Sequence, residues 1–382
     1  MNTPMSKHGF LRVGASTPQL KVADVEFNVK EMISQTLKAQ EQGVQILTFP
    51  ELSITGYTCG DLFEQELLLT KAQEGLQTFL AAIKGDIITI IGMPLQLDNQ
   101  LFNVGVVAQN GKVLGVVPKT HLPGYGEFYE ERQFASAYDA LSSEVQIGDD
   151  VVPFGTNVIF SDPKDPKLAF GVEICEDAWV PNAPSIDHSL AGSLVTFNLS
   201  ASNEIVGKEE YRKNLVTMRS GTNVSGYVYA SSGIGESTTD VVFGGSALIA
   251  ENGSLLAEGE RFQEESQLLV SDINTQKLLH DRRKQTSFMS GASKRLTTPF
   301  KKVPVQVEIT NEDLQRSYPQ MPFVPSDEAE RAGVCEEILN IQASGLAKRL
   351  QHIGTKTTVI GISGGLDSTL AFLVIMKAYE KL

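Results

Sequence analysis

Gly171-Val-Glu-Ile-Cys175 is a short, largely apolar run that ends in a cysteine, and two other runs share this design. Leu47-Thr-Phe-Pro-Glu51 ends in a carboxylate, and Gly115-Val-Val-Pro-Lys119 ends in an ammonium group. Short apolar runs of this kind are typical of buried strands, and side chains just beyond strand ends face the crevice where α/β proteins bind ligands. The sequence therefore predicts that Glu51, Lys119 and Cys175 share one site in an α/β fold.

A thiol, a carboxylate and an ammonium group are what amide hydrolysis needs. Cys175 can attack the carbonyl carbon, but a free thiol with a pKa of ~8.5 is mostly protonated at neutral pH. Glu51 can accept the thiol proton and pass it to departing ammonia. Lys119 can stabilise the oxyanion, a contact typically worth ~3–4 kcal/mol, and favour the thiolate. Taken singly, each residue also fits a structural role, as a buried cysteine or a solvated strand end, and only their joint occurrence favours catalysis.

Residues 10–275 alternate strand-like and helix-like runs. Val29, Met32, Ile33 and Leu37 have helical spacing, and Gly43 is expected to end that helix. Strands are predicted at 44–49, 87–91, 102–108, 113–117, 168–174, 194–199, 227–231, 246–250 and 254–257. Asn110-Gly111 and Asn252-Gly253 each predict a hairpin turn between two of these strands. The pattern indicates a mixed sheet, or a pair of sheets, faced by helices.

After residue 275 the composition changes. Basic residues cluster at 282–302 and prolines recur up to Pro325, so 276–325 is interpreted as a linker with a solvated basic stretch. Asp327 is expected to cap a helix that Gly354 ends. Its apolar stripe is predicted to consist of Cys335, Ile338, Leu339 and Leu346.

The segment Gly361-Ile-Ser-Gly-Gly-Leu-Asp-Ser368 has the pattern of a phosphate-binding loop. A buried strand is predicted at 357–362, and Asp367 and Ser368 are expected to cap a buried helix over 369–377. Glycine amides and a helix N-terminus bind anions, but no lysine follows the glycines, so this is not a Walker loop. One strand and one helix cannot bury their own apolar faces, so we expect the motif to open a domain of which this chain holds only the beginning.

Composition excludes several classes of partner. A formal net charge of −14 argues against nucleic acid and anionic membranes.

The first ten residues lack the apolar core of a secretion signal, and no apolar stretch approaches the ~20 residues of a membrane span. Cys59, Cys175 and Cys335 are isolated, which suggests neither a disulfide framework nor a zinc site and favours a cytoplasmic location. Four of the five histidines, His8, His188, His280 and His352, lack the spacing of metal ligands, so no metal site is predicted.

Three segments resemble the glutamate, lysine and cysteine segments of the nitrilase (carbon–nitrogen hydrolase) superfamily, in the same order. They are Phe49-Pro-Glu-Leu-Ser-Ile-Thr-Gly-Tyr57, Pro118-Lys-Thr-His-Leu-Pro123 and Glu173-Ile-Cys-Glu-Asp-Ala-Trp179. Residues 363–368 resemble the pyrophosphatase loop of the adenine-nucleotide α-hydrolases. The two together, in this order, resemble the family of glutamine-dependent NAD synthetases, as do residues 198–202 and 233–240.

This resemblance implies a four-layer α-β-β-α nitrilase-like glutaminase domain over 1–275 and, after the linker, the truncated start of a doubly wound α/β synthetase domain over 326–382. It implies that Glu51 is the base, Lys119 the oxyanion stabiliser and Cys175 the nucleophile. It assigns glutamine contacts to Tyr125, Ser202 and Lys208, for which a packed tyrosine, a turn serine and a solvated lysine are the alternatives. It assigns ATP contacts to Gly361, Ile362, Ser363, Gly364, Gly365, Leu366, Asp367 and Ser368.

In that family, ATP with Mg²⁺ adenylates nicotinic acid adenine dinucleotide, and ammonia from L-glutamine, passing through a tunnel, displaces AMP to give NAD. The resemblance implies this ligase function, no prosthetic group and a homo-oligomer, with the glutaminase half retained in this chain. The dinucleotide contacts are expected to lie beyond Leu382, so this chain alone should not synthesise NAD.

Three alternative functions agree less well with the sequence. A stand-alone amidase would have no use for a phosphate loop. Asparagine and GMP synthetases have an N-terminal cysteine or a Gly-x-Cys-x-Gly elbow, which Met1 and Ile174-Cys-Glu176 do not match. A non-catalytic scaffold would be expected to lack one member of the triad.

Overall fold

The computed structural model describes residues 9–309, 311 and 313–382. His8, considered above as a metal ligand, lies outside the described residues. Contacts divide the chain into two units, Met1–Arg316 and Ser317–Leu382.

The secondary structure of the described residues alternates between strands and helices. The strands are β1 (Phe10–Thr17), β2 (Ile46–Thr48), β3 (Ile88–Leu97), β4 (Gln100–Gln109), β5 (Lys112–Pro118), β6 (Glu144–Ile147), β7 (Asp150–Pro153), β8 (Val158–Ser161), β9 (Ala169–Ile174), β10 (Val195–Ser200), β11 (Gly226–Ser231), β12 (Ala247–Glu251), β13 (Ser254–Glu258), β14 (Gln267–Asn274) and β15 (Lys301–Pro304). The helices are α1 (Val25–Glu41), α2 (Glu66–Ala82), α3 (Pro184–Leu190), α4 (Lys208–Thr222), α5 (Thr275–Lys284), α6 (Ala292–Arg295), α7 (Glu328–Ile353) and α8 (Leu366–Lys381).

Two sheets dominate the first unit. One has the order β14-β1-β2-β3-β4-β5, with β1, β2 and β3 parallel. The other has the order β13-β12-β11-β10-β9-β8-β15, with β9, β10 and β11 parallel. Facing side chains of both sheets form one buried apolar cluster, which includes Val13, Ile90, Val107, Val172, Phe197 and Val228. The fold is therefore mixed α/β, as the sequence predicts.

Helices cover the sheets on the faces away from that cluster. Met32 of α1 and Phe79 of α2 share a second cluster with Leu47 and Ile91 of the first sheet. Val216 of α4 packs with tyrosines and a leucine of the second sheet. Each helix is amphipathic and buries its apolar side, which is how a half-exposed helix gains stability from packing.

Both predicted hairpins are confirmed. Asn110-Gly111 joins β4 to β5 and Asn252-Gly253 joins β12 to β13, and all four residues have positive φ. Two-residue turns of this hand match the twist of the flanking strands and need residues that tolerate positive φ. The predicted end of α1 at Gly43, whose φ is +69°, is also confirmed.

The interpretation of 276–325 as a linker is wrong for its first part. Residues 275–284 form α5, and β15 pairs in parallel with β8 as the edge strand of the second sheet. Arg282 is buried and donates hydrogen bonds to the carbonyls of Ser189, Asn223 and Val224. Basic residues indicated solvation, but a guanidinium has five donors and can satisfy buried carbonyls at a helix end. The domain boundaries themselves stay a prediction.

The second unit consists of α7 packed against α8 through Ala343, Ala347, Leu350 and Ala378. Asp327 caps α7, accepting from the Glu330 amide, and Gly354 ends it, as predicted. The predicted stripe is right for Leu346, which packs against this core, and wrong for Cys335 and Ile338, which are exposed.

The predicted strand at 357–362 is also wrong, since no strand is assigned among the described residues there and Val359 is exposed. A strand needs a hydrogen-bonded neighbour, and its apolar composition alone does not supply one. The last helix is capped by Gly365 and begins at Leu366, ahead of the expected caps at Asp367 and Ser368. Much of its apolar surface is exposed rather than buried, at Leu366, Leu370, Phe372, Leu373 and Met376. Across the described residues, no helix combines the length and apolarity that spanning a membrane requires.

Candidate active site

The three predicted residues follow strand ends of both sheets. Glu51 lies three residues after β2, Lys119 directly follows β5, and Cys175 directly follows β9. The Nζ atom of Lys119 is 2.6 Å from Oε1 of Glu51, and both side chains are fully buried. The pKa of Cys175 responds to the charges of Glu51 and Lys119, so its thiol is within electrostatic reach of this ion pair. The structure therefore brings the three side chains together.

Glu51 is held by three donors. Besides Lys119, the Asn103 amide donates to Oε1 at 2.6 Å and the Ala201 amide donates to Oε2 at 2.9 Å. The turn that positions it lies close against β3, where a Cβ on Gly92 would come within 2.4 Å of the Pro50 oxygen. Only glycine leaves room for this approach. The buried carboxylate is thus compensated on both oxygens.

Lys119 also contacts a second carboxylate, Glu130, whose oxygens lie 2.6 and 2.7 Å from Nζ. The Tyr57 hydroxyl donates to Glu130 at 2.7 Å. Burial alone would lower the pKa of Lys119, but Glu130 and Glu51 raise it well above its usual value. Burial raises the pKa of Glu130, against the lowering effect of the Lys119 charge. Lys119 therefore remains a buried cation.

Cys175 begins a single 3₁₀ turn and has a φ of +42°, a region that non-glycine residues seldom adopt. Burial, followed by the charge of Glu51, raises the pKa of its thiol to about 12, although Lys119 acts to lower it. Lys119 therefore favours the thiolate, as expected, but burial and the charge of Glu51 outweigh its effect on the pKa of Cys175. Since the resting thiol is neutral at pH ~7, attack requires a base to take its proton.

The three residues predicted to contact glutamine lie in the first unit, together with this cluster. Ser202 is buried beside the Ala201 amide that binds Glu51, and its hydroxyl accepts from Arg212. Tyr125 is exposed and donates to Glu176, the residue after the candidate nucleophile. A negative charge on Cys175 would raise the pKa of both Tyr125 and Lys208, so these side chains lie within electrostatic reach of the thiol.

Lys208 lies at the start of α4, donates to Asn203 and faces the rings of Phe128 and Trp179. Burial lowers its pKa. These surroundings describe a partly desolvated cation with aromatic neighbours, a suitable group for binding a carboxylate.

The phosphate-loop residues lie in the second unit. Gly361 to Asp367 are exposed, and Gly364 has a φ of +85°. The Ser363 amide donates to the Ser368 hydroxyl at 3.3 Å. The loop ends at the N-terminus of α8, and the first amides of a helix, which lack intrahelical acceptors, commonly bind anions. Among the residues that the structure covers, no three or more His, Cys, Asp or Glu side chains are grouped to hold a metal ion.

Sequence reasoning missed Glu130, Asn103 and Tyr57. Asn103 had a usable signal, because it is a polar residue inside an apolar strand and buried polar groups need partners. Glu130 follows an irregular loop, where no periodicity reports burial. Its pairing with Lys119 is visible only in three dimensions.

A buried thiol beside a Glu–Lys pair on a mixed α/β fold defines a class of enzymes that cleave carbon–nitrogen bonds. The family model described as Carbon-nitrogen hydrolase matches residues 12–282, and the chain belongs to this family.

Within this family, the chain is similar to proteins of one kind. The chain is 38% identical over 379 residues to the glutamine-dependent NAD(+) synthetase of Mycobacterium leprae (strain TN), covering 98% of this chain and 55% of that protein. A glutamine-dependent NAD(+) synthetase from Cytophaga hutchinsonii superposes with a TM-score of 0.63 at 30% identity, covering 70% of this chain and 43% of that one. One from Acinetobacter baumannii, in complex with ADP, gives 0.58 at 22% identity, covering 97% and 57%. The chain thus spans about half the length of the relatives it matches, and the predicted resemblance to NAD synthetases is confirmed.

Proposed function

We propose that this chain hydrolyses the side-chain amide of L-glutamine, with Cys175 as nucleophile, Glu51 as proton carrier and Lys119 as oxyanion donor. The supporting observation is the buried contact of 2.6 Å between Lys119 and Glu51, two groups whose charges act on the Cys175 thiol. The similarity to glutamine-dependent NAD synthetases supports glutamine as the substrate.

Glu51 takes the proton of Cys175 as the sulfur attacks the amide carbon, because the neutral thiol cannot ionise alone. The Lys119 ammonium donates a hydrogen bond to the oxyanion. When the carbon–nitrogen bond breaks, Glu51 returns the proton to the leaving nitrogen, and ammonia departs. Water then attacks the thioester carbon while Glu51 takes its proton. The carbon–sulfur bond breaks, the product glutamate leaves, and Glu51 returns the proton to the Cys175 sulfur.

Lys208, Ser202 and Tyr125 are proposed to bind the amino-acid end of glutamine. Lys208 provides a cation for the α-carboxylate, and its partial burial strengthens the interaction. Simple aliphatic amides lack that carboxylate and should be poorer substrates.

For the whole protein we propose glutamine-hydrolysing NAD synthesis. Ammonia would pass to a synthetase domain that uses ATP to activate nicotinic acid adenine dinucleotide. The exposed amides of 361–368 suit a phosphate, and the Asp367 carboxylate is the oxygen ligand that Mg²⁺ prefers. The ADP complex of a structural neighbour supports nucleotide binding in such proteins. A four-layer α-β-β-α arrangement of the first domain, a second domain over 326–382, a homo-oligomer and a cytoplasmic location complete the proposal.

The test is release of ammonia and glutamate from L-glutamine by the purified chain, with propionamide as a comparison substrate. Cys175→Ala should abolish turnover, while Cys59→Ala should leave it unchanged, since Cys59 packs in a separate apolar cluster. A diazoketone analogue of glutamine should label Cys175, as mapped by peptide mass spectrometry. Turnover in the Cys175→Ala variant would refute the assignment, and a preference for propionamide would favour a stand-alone amidase.

A further inference from the structure

Asp177 is a fully buried carboxylate outside the three-residue mechanism. Its Oδ1 accepts hydrogen bonds from the backbone amides of His121 at 2.8 Å and Thr120 at 3.2 Å. Its Oδ2 accepts from the backbone amide of Ile174 at 3.0 Å. All three donors are main-chain groups, so the side chain fixes backbone positions rather than another side chain.

Those amides belong to the two segments that hold reactive groups. Thr120 directly follows Lys119 at the end of β5, and Ile174 directly precedes Cys175 at the end of β9. The strands β5 and β9 lie in different sheets. One carboxylate therefore connects the oxyanion donor to the nucleophile across the interface between the sheets.

We propose that Asp177 is a positioning residue, whose carboxylate sets the separation between the Cys175 thiol and the Lys119 ammonium. This inference rests on the proposed glutaminase function. Reacting groups displaced by about 1 Å can lose about 10²-fold in rate, so a link of this kind has kinetic value.

Two observations make a merely local capping role insufficient. Cys175 adopts a φ of +42°, and such strained residues persist only when the surroundings over-determine them. The hydrogen bond from the Ile174 amide to the Asp177 carboxylate spans Cys175 and holds the turn. A local cap would need only that bond, whereas the contacts to Thr120 and His121 join a segment more than fifty positions away in sequence.

Burial, followed by the charge of Glu173, raises the pKa of Asp177 to about 8, whereas its hydrogen bonds from the backbone amides of Ile174 and His121 act to lower it.

The experiment compares Asp177→Asn with Asp162→Asn in the full chain. The Asn side chain keeps one acceptor oxygen but places an NH₂ donor against a backbone amide. It therefore loses the hydrogen bonds either to Thr120 and His121 or to Ile174. Asp162 is the matched control, because it is also buried and accepts from two backbone amides, those of Lys164 and Val307, away from the site. Kinetics with glutamine and thermal unfolding are measured on both.

We expect Asp177→Asn to lower kcat by about 10- to 100-fold, with KM within about threefold of the parent protein. The diazoketone should label Cys175 more slowly by a similar factor. Asp162→Asn should lower the melting temperature comparably and leave kcat unchanged.

A folded Asp177→Asn variant with parental kcat would overturn the inference, as would equal losses of kcat in both variants. If Asp177→Asn does not fold, Asp177→Glu replaces it, because the extra methylene displaces the acceptors. Should neither fold, the residue is a general stability determinant and the positioning claim fails. A parent chain without glutaminase activity would instead refute the proposed function.

Discussion

Lys119 is the residue that balances the charge of the site, since Glu51 and Glu130 both lie within 2.6 Å of its Nζ atom. Lys119→Met leaves two buried carboxylates without their cation, which typically costs about 3–5 kcal/mol in unfolding free energy. We expect it to lose glutamine hydrolysis and stability together, as measured by turnover and urea unfolding.

The double variant Lys119→Met/Glu130→Gln separates these effects. Removing one carboxylate charge should recover part of the stability, but no oxyanion donor returns, so turnover should stay undetectable. Recovery of turnover in the double variant would mean that Lys119 acts on stability alone.

The Cys175 thiol gives a prediction on pH. Its pKa is raised to about 12 by burial and then by Glu51, whereas a thiol in the unfolded chain ionises near ~8.5. The unfolded state therefore loses this proton first, and the stability that the neutral thiol contributes declines as the pH rises above ~8.5. From about pH 8 to about pH 10 the decline should reach about 2 kcal/mol. Urea unfolding of Cys175→Ala at both pH values should show a correspondingly smaller loss, and equal losses would contradict the raised pKa.

Sequence reasoning predicted the residues whose placement depends on local pattern. Glu51, Lys119 and Cys175 each follow an apolar strand, so their location at strand ends could be predicted from the sequence. Glu130 and Asp177 could not be predicted in this way, because Glu130 follows the irregular loop after its partner Lys119, and Asp177 accepts from His121, which is 56 positions away in sequence. Positions of this kind are fixed by tertiary contacts, which periodicity does not report.

At the scale of elements, α5 shows how a basic segment can be structural. Arg282→Ala would leave three buried carbonyls without their donor, so we expect a loss of about 2–4 kcal/mol in unfolding free energy. Arg283 is exposed on the same helix, and Arg283→Ala should change stability by less than about 0.5 kcal/mol. Comparable losses in the two variants would restore the interpretation of a solvated linker.

The predicted and mispredicted elements differ in what stabilises them. The Asn-Gly hairpins were predicted because two residues determine the turn. The strand at 357–362 was mispredicted because an apolar run resembles a strand whether or not a neighbour pairs with it. For β15 the sequence signal was weak. Lys301-Lys302 is typical of a solvated stretch, yet the next residue, Val303, is buried in the apolar cluster between the two sheets.

At the scale of the whole molecule, the first unit is closed by pairings between distant segments. Strand β14 pairs along the full length of β1, and β15 pairs with β8. Every candidate glutaminase residue, with each hydrogen-bond partner named above, lies within Met1–Arg316. The second unit holds the phosphate-loop residues and a small core of its own.

This division predicts that glutamine hydrolysis belongs to the first unit alone. A chain ending at Arg316 retains β15, both sheets and the contacts of Glu51, Lys119 and Cys175, so its kcat should stay within about twofold of the 382-residue chain. A chain ending at Thr275 is the informative comparison, because it lacks β15 and the Arg282 hydrogen bonds and should unfold at lower urea concentration. Steady-state ammonia release and urea unfolding on the three lengths would test this. A large loss of kcat on removing residues 317–382, with the fold intact, would show that the second unit contributes to the glutaminase site.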